Sequence, residues 1–338
     1  MRMMFRNLIS VAERKNDEIN VKISPSWTDT DGREKLKMLT ADLIDESQWD
    51  LNEMIYRVFS MALSAIQKKY GGDLSVELEE GYLISGDRTL LPHLDAPRIY
   101  TRFEGNETNI HFDQLIYNAL FDFLCCFYFW SRFPDDQEVV DCCFSYATVL
   151  FDYVSTGRLT GFDVLNPLVE KMKERITRAE WNTISDLLWC MILFAFSHEM
   201  IHLLKHHDKR PKEDAQKCEF EADMLGYDIL LSLIMGQEGE CRDDATAILS
   251  DRMYTAPMVL FLFYKCAYEY ERIKNGILVK DDEHEELESR IYDLIHLSEH
   301  EVYQIDTEYG NVILASYWDT VDQFLEMLGQ KVHNDNNA

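Results

Sequence analysis

The pattern H-E-x-x-H is the part of this sequence best suited to chemistry. It is formed by His198, Glu199 and His202, directly behind the apolar run LLWCMILFAF. On an α-helix, residues four apart lie on one face, so the rings of His198 and His202 can bind a single ion. Zn²⁺ accepts two imidazole nitrogens with a third protein ligand and keeps one position open for water. Glu199 leaves the helix about 100° around the axis from His198, where it can act as a base towards that water.

A pair of acidic residues follows in the segment KCEFEADMLG. Glu219 and Asp223 also stand four apart, and a turn near residues 208–211 predicts that their helix folds back antiparallel to the first. At about 1.5 Å per residue, Glu219 then comes level with the two histidines. Asp223 lies one turn further on, beside His198, and can accept a hydrogen bond from its free ring nitrogen. We therefore expect a Zn²⁺ site with Glu219 as the third ligand.

The two motifs together resemble the signature H-E-x-x-H…E-x-x-A-D of the gluzincin metallopeptidases. The match joins HEMIH to EFEAD. The resemblance implies that Glu219 is the third zinc ligand, that Ala222 and Asp223 complete the pattern, and that the chain hydrolyses peptide bonds. The short gap between the motifs and the helical region upstream are similar to those of the Lit-type phage-exclusion peptidases, which implies a setting in phage defence.

Three neighbouring side chains are rival ligands. His206 continues the i, i+4 series, but it lies about 12 Å along the axis from His198, too far to share one ion. His206 and His207 are expected to be solvated residues at a helix end, where the negative pole of the helix dipole favours them. Glu221 points away from Glu219 and is expected at the surface or behind a ligand.

The elements that position these residues predict a mostly α (α+β) fold. Residues 1–112 indicate a small mixed α/β region, in which strand-like alternation and a hairpin around EGNE accompany one helix. Residues 113–332 predict a helical, zincin-like region with the two antiparallel motif helices, and 333–338 predict a disordered tail. Helices are expected near 113–132, 135–157, 164–176, 243–255, 257–274, 283–300 and 316–330.

The motif helix has sequence signals at both ends. Thr177 and Glu180 form a predicted capping box at its start. Pro211 marks its far limit and suits the first turn of the next helix, which is expected to last until Gly236.

Composition restricts the partners and the compartment. The net charge of -28 repels phosphate backbones, so we expect no nucleic-acid binding and favour a basic protein or peptide partner. Eight cysteines without C-x-x-C spacing indicate free thiols in a reducing cytoplasm. No apolar stretch near the N-terminus is long enough for a signal peptide. The aromatic-rich runs 115–133, 142–154 and 258–268 are too polar or too short to cross a hydrocarbon layer of about 30 Å.

These observations favour a cytoplasmic, zinc-dependent metallopeptidase with Glu199 as the general base. Two alternatives remain open at this point. The chain can be a latent peptidase that acts as a phage-defence sensor or toxin once a partner activates it. It can also be an inactive, metal-containing acidic module for protein interaction.

Overall fold

The fold is mostly α-helical in the residues that the computed structural model describes. These residues are 51–71, 74, 76–81, 99–104, 107–156, 168, 171–172, 174–235, 253–275, 281–298 and 307–337. They contain eight helices: α1 (Leu51–Tyr70), α2 (Gln114–Arg132), α3 (Gln137–Thr156), α4 (Arg178–Leu204), α5 (Ala215–Met235), α6 (Ala256–Asn275), α7 (Asp281–Ser298) and α8 (Thr307–Asn337). The mostly α prediction is confirmed for this part of the chain. Residues 1–50 of the predicted N-terminal region lie outside it, as do most of the helices predicted near 164–176 and 243–255.

A three-stranded sheet precedes the helices α2 to α8. Its strands are β1 (Glu77–Gly81), β2 (Ile99–Glu104) and β3 (Glu107–Asp113). Strands β2 and β3 pair antiparallel, as the hairpin pattern predicts, and β1 pairs parallel to the other side of β3. Phe112 of β3 is buried, and its ring centroid lies 5.6 Å from that of Phe196 on α4. The sheet therefore packs directly on the helix that carries H-E-x-x-H.

Helix α4 is surrounded by other elements along most of its length. The predicted capping box is present at its start: the Thr177 backbone N–H donates to Glu180, and the Thr177 hydroxyl accepts from the Glu180 backbone. Helices α1, α2, α5 and α6 and the sheet all pack against α4. On its α1 side, Phe59 meets Phe196 edge to face at 5.5 Å. An apolar surface on all sides of a helix is what such a central position requires.

By length and composition alone, α4 is also the one helix among the described residues that can cross a membrane. Its most apolar 18-residue window is 78% buried within the protein. The sheet and the neighbouring helices therefore account for the apolar character of α4, because they cover most of it.

Helix α4 ends earlier than the sequence predicts. It stops at Leu204 rather than near Pro211, because His206 adopts the left-handed conformation (φ 51°, ψ 45°). A non-glycine residue in that conformation breaks the right-handed helix. Two 3-10 turns, His207–Lys209 and Lys212–Asp214, then lead into α5 at Ala215. The expected start of α5 at Pro211 is therefore also wrong, although its end at Met235 lies next to the expected limit.

Helix α8 is longer than predicted at both ends. It begins at Thr307 rather than near 316, because tertiary packing keeps Gly310 helical. A Cβ atom on Gly310 would lie only 2.1 Å from the Tyr254 ring, whose hydroxyl donates to the Asn311 side chain at 2.7 Å. At the other end, no proline follows Gly329, and α8 continues through Asn337. Residues 333–337, for which a disordered tail was expected, are therefore helical.

Candidate metal centre

Three side chains from α4 and α5 converge at one point. The Nε2 atoms of His198 and His202 are 2.9 Å apart. Glu219 faces both, with Oε2 at 3.3 Å from Nε2 of His198 and Oε1 at 3.3 Å from Nε2 of His202. Among the described residues, no other group of three or more His, Cys, Asp or Glu side chains brings its ligand atoms within 4.8 Å of one another.

The donor atoms of this cluster fit a metal ion. At metal–nitrogen distances of about 2.0–2.1 Å, two nitrogens around one tetrahedral ion lie about 3.3 Å apart, so the observed 2.9 Å requires only a small movement of the rings. The histidine side chains are 10% and 15% exposed, whereas Glu219 is 37% exposed. The cluster is therefore closed on the α4 side and open to solvent on the Glu219 side. This geometry is compatible with a metal site.

The two helices approach each other closely because α5 has a glycine at the contact. A Cβ atom on Gly226 would lie 3.0 Å from the backbone nitrogen of His198 and 3.2 Å from its Cα atom. Any larger residue would therefore have to push α5 away from α4. Gly226 follows Asp223 by one helical turn, so this approach also sets the distance between His198 and the carboxylates of α5.

Asp223 lies beside the second ring nitrogen of His198. Its Oδ1 atom is 2.9 Å from Nδ1 of His198. The contact is an ion pair rather than a well-formed hydrogen bond. Arg290 on α7 holds the same carboxylate from the other side, donating from Nε to Oδ2 at 2.6 Å and from Nη2 to Oδ1 at 2.8 Å. Asp223 is therefore fixed between a proposed ligand and a guanidinium group.

Arg290 is a site residue that sequence reasoning missed. Its Nη2 atom also lies 3.5 Å from Oε2 of Glu219, and its guanidinium group lies over the Phe261 ring, 4.4 Å from the centroid. It therefore contacts both carboxylates of the site. Arg290 stands 67 residues after Asp223 in the chain, in the acidic helix that begins DDEHEELESR. No local pattern joins it to either motif.

His207 is placed differently from the prediction. His206 is exposed, as expected, but His207 is buried and its Nδ1 atom lies 2.8 Å from Nδ1 of His202. The left-handed turn at His206 directs the chain back, so that His207 faces the site rather than solvent. Its Nε2 atom contacts Oε2 of Glu221 at 3.2 Å. Glu221 therefore lies behind a proposed ligand, through His207, which was one of the two positions expected for it.

The charges of the cluster divide unequally between the two histidines in the metal-free protein. Burial acts to lower the pKa of His198, but the carboxylates of Asp223 and Glu219 outweigh it and raise that pKa to about 10. Burial, followed by the charge on His198, lowers the pKa of His202 to about 4. Burial opposes ionisation of Glu219, yet the contact with His198 lowers its pKa to about 2. Metal ligands must be deprotonated, so the proton on His198 competes with any ion for Nε2.

Glu199 borders the ligand face of α4. It is half-buried and follows His198 directly. Successive residues of an α-helix project about 100° apart, so Glu199 flanks the cluster instead of joining it. A carboxylate beside the open side of a metal site is suited to accept a proton from water.

Comparisons with protein-family models, with curated proteins and with solved structures find no match to this chain.

Proposed function

We propose that the protein is a zinc-dependent metallopeptidase. The observation that carries the proposal is the convergence of Nε2 of His198, Nε2 of His202 and the Glu219 carboxylate at one solvent-accessible point, next to Glu199. Two imidazoles and one carboxylate with a fourth position open are typical of catalytic zinc, whereas structural zinc has four protein ligands. The resemblance of HEMIH and EFEAD to the gluzincin motifs supports peptide bonds as the substrate.

Each residue of the site then has a distinct task. His198, His202 and Glu219 would hold the ion, which would supply Lewis-acid chemistry: a lower pKa for water at the open position, about 7, and polarisation of the substrate carbonyl group. Glu199 accepts a proton at its carboxylate during the attack of water and donates it to the leaving amine. Asp223 fixes the orientation of the His198 ring through Nδ1. Helix α4, buried on its other sides, keeps these groups rigid, which strengthens their electrostatic effect.

We also propose the finer architecture and setting. Under this proposal, a mixed α/β region extends to residue 112, followed by a zincin-like helical region over 113–332. The position of the three strands before α2 supports this division. The free thiols of the seven described cysteines support a reducing, cytoplasmic setting. The net charge of -28 supports a basic protein or peptide as the substrate.

Replacing the proposed base tests the proposal directly. Glu199→Gln should retain zinc and the fold but lose turnover by a factor of at least about 100, because it removes the base without removing a ligand. Zinc content by mass spectrometry of the native protein and cleavage of a peptide library measure the two properties. His206→Asn is the matched control, because His206 is exposed and asparagine tolerates its left-handed backbone. This variant should retain both zinc and turnover. Full turnover by Glu199→Gln would contradict the peptidase.

A further inference from the structure

We propose that His207 is a positioning residue for His202, and that Glu221 in turn fixes His207. The inference rests on the proposed metal site and deepens it, since it names the residues that orient one of its ligands. It starts from an unbroken series of contacts: Nδ1 of His202 lies 2.8 Å from Nδ1 of His207, and Nε2 of His207 lies 3.2 Å from Oε2 of Glu221.

Hydrogen-bond chemistry assigns every proton in this series once His202 is a ligand. A ring that binds a metal through Nε2 carries its proton on Nδ1. His202 must then donate from Nδ1, so Nδ1 of His207 must be the acceptor. The proton of a neutral His207 ring therefore sits on Nε2, where it is donated to the Glu221 carboxylate. No other arrangement of a neutral His207 satisfies all three groups.

The environment of His207 holds it in this arrangement. Its side chain is only 4% exposed, so an alternative hydrogen bond to water is not readily available. Glu221 is held in place by Nη2 of Arg210 at 2.9 Å and by Nζ of Lys205 at 3.7 Å. These ion pairs hold the Glu221 carboxylate where it can accept a hydrogen bond from Nε2 of His207.

The two proposed histidine ligands thus have outer partners of different kinds. His198 faces the Asp223 carboxylate directly, and Arg290 on α7 anchors that carboxylate. His202 faces an uncharged imidazole, and the anchoring carboxylate lies one residue further out. A carboxylate that contacts the imidazole directly raises the basicity of its metal-binding nitrogen more than a neutral partner does. The orientation of His202 therefore depends on the turn that follows α4, while that of His198 depends on a distant helix.

Two replacements of His207 distinguish a role in orienting His202 from a role in packing alone. In His207→Asn the amide oxygen reaches the place of Nδ1, so it can still accept the proton of His202. In His207→Gln the longer side chain places the amide near Nε2, beside Glu221, and the contact with His202 is lost. We expect zinc affinity, measured by competition with a chelator, to fall about 10–100-fold in His207→Gln. His207→Asn should recover most of that loss, and Glu221→Ala should lie between the two variants.

A second measurement needs no variant. In the zinc-loaded parent, ¹⁵N shifts of the imidazole rings should show a protonated Nδ1 on His202 and a protonated Nε2 on His207. Equal zinc affinity in the parent, His207→Gln and His207→Asn would overturn the positioning role alone, as would the opposite ring tautomers. Equal losses in both variants would also overturn it, because they would indicate packing. A parent that binds no zinc would overturn the proposed function, and this inference with it.

Discussion

Glu219 is the residue on which the chemistry of the cluster depends. It is the only one of the three proposed ligands on α5, and each of its oxygens faces a different histidine at 3.3 Å. Without it, two imidazoles from one helix turn remain, and they leave two positions of a tetrahedral ion without a protein ligand. Its contribution is therefore larger than that of any carboxylate further from the cluster.

Single replacements on α5 should rank accordingly. We expect Glu219→Ala to lose most of the zinc affinity, and Asp223→Ala to lose about 10–100-fold, because Asp223 acts through His198. Titration of the purified variants against a competing chelator gives the order. His206→Asn serves as the surface control and should match the parent. Tight zinc binding by Glu219→Ala would contradict the assignment of the third ligand.

Asp122 of α2 provides a test that is independent of any metal. It is 4% exposed in an aromatic core, and burial raises its pKa from 3.8 to about 7 against the opposing hydrogen bond with Tyr146. The folded state therefore binds more protons than the unfolded state between about pH 4 and 7. Stability from this group is lost as the pH rises through that window, by up to about 1.4 kcal/mol per pH unit.

Asp122→Asn should remove this pH dependence, since an amide stays neutral throughout. We expect the free energy of unfolding of the variant, relative to the parent, to increase by about 2 kcal/mol from pH 5.5 to pH 8. Urea unfolding at the two pH values measures it. Asp135→Asn, at an exposed residue, is the control. Its free energy of unfolding should differ from that of the parent by the same amount at both pH values. A constant difference for Asp122→Asn as well would refute the raised pKa.

At the residue scale, contacts between residues close in the sequence could be predicted, and contacts between distant residues could not. The convergence of His198, His202 and Glu219 follows from two helical periods and one short turn, all of which are local. Arg290 could not be predicted, because its contact with Asp223 joins segments 67 residues apart. His207 could not be predicted either, since its direction depends on the left-handed backbone of His206, a conformation that few residues other than glycine adopt.

At the scale of elements, the close approach of α4 and α5 depends on Gly226. Gly226→Ala should separate the helices by a few tenths of an ångström, because the new Cβ atom meets the backbone of His198 rather than a movable side chain. Overpacking of this kind costs about 1–3 kcal/mol, and it should also reduce zinc affinity by displacing Glu219.

Gly329→Ala on α8 is the matched control for this change. A Cβ atom there has no neighbour within 4 Å, so the replacement should stabilise the protein by up to about 1 kcal/mol through helix propensity. Thermal unfolding and chelator competition on both variants measure the two effects. The close-approach argument fails if the alanine at 226 stabilises the protein as much as the alanine at 329.

The ends of helices were predicted well where neighbouring residues in the sequence determine them. They were predicted poorly where tertiary packing or an unusual backbone conformation determines them. The capping box of Thr177 and Glu180 fixes the start of α4, because both partners lie within one turn. The end of α4 and the start of α8 depend instead on the backbone of His206 and on the Tyr254 ring against Gly310. Neither interaction leaves a pattern in the neighbouring residues.

At the scale of the whole molecule, the net charge of -28 should govern encounters with partners. A basic peptide substrate should associate more slowly as salt rises from about 0.05 to 0.5 M, since the Debye length falls from about 14 to 4 Å. Stopped-flow association rates measure the effect. A peptide of the same length with Gln at each Lys and Arg should show little salt dependence. If both peptides respond alike, the charge does not steer the substrate.

The local origin of the cluster has a consequence for the order of assembly during synthesis. Every proposed ligand lies between His198 and Glu219, on one helical hairpin, whereas Arg290 belongs to a helix that leaves the ribosome later. Contacts between residues close in sequence form early, and chains fold from their N-terminal side as they emerge. With the proposed metal site, the nascent hairpin would capture an ion before α7 and α8 have been synthesised. An ion bound at that stage would shift the folding equilibrium of the hairpin by mass action, so under the proposed metal site the metal supply would influence the yield of folded protein.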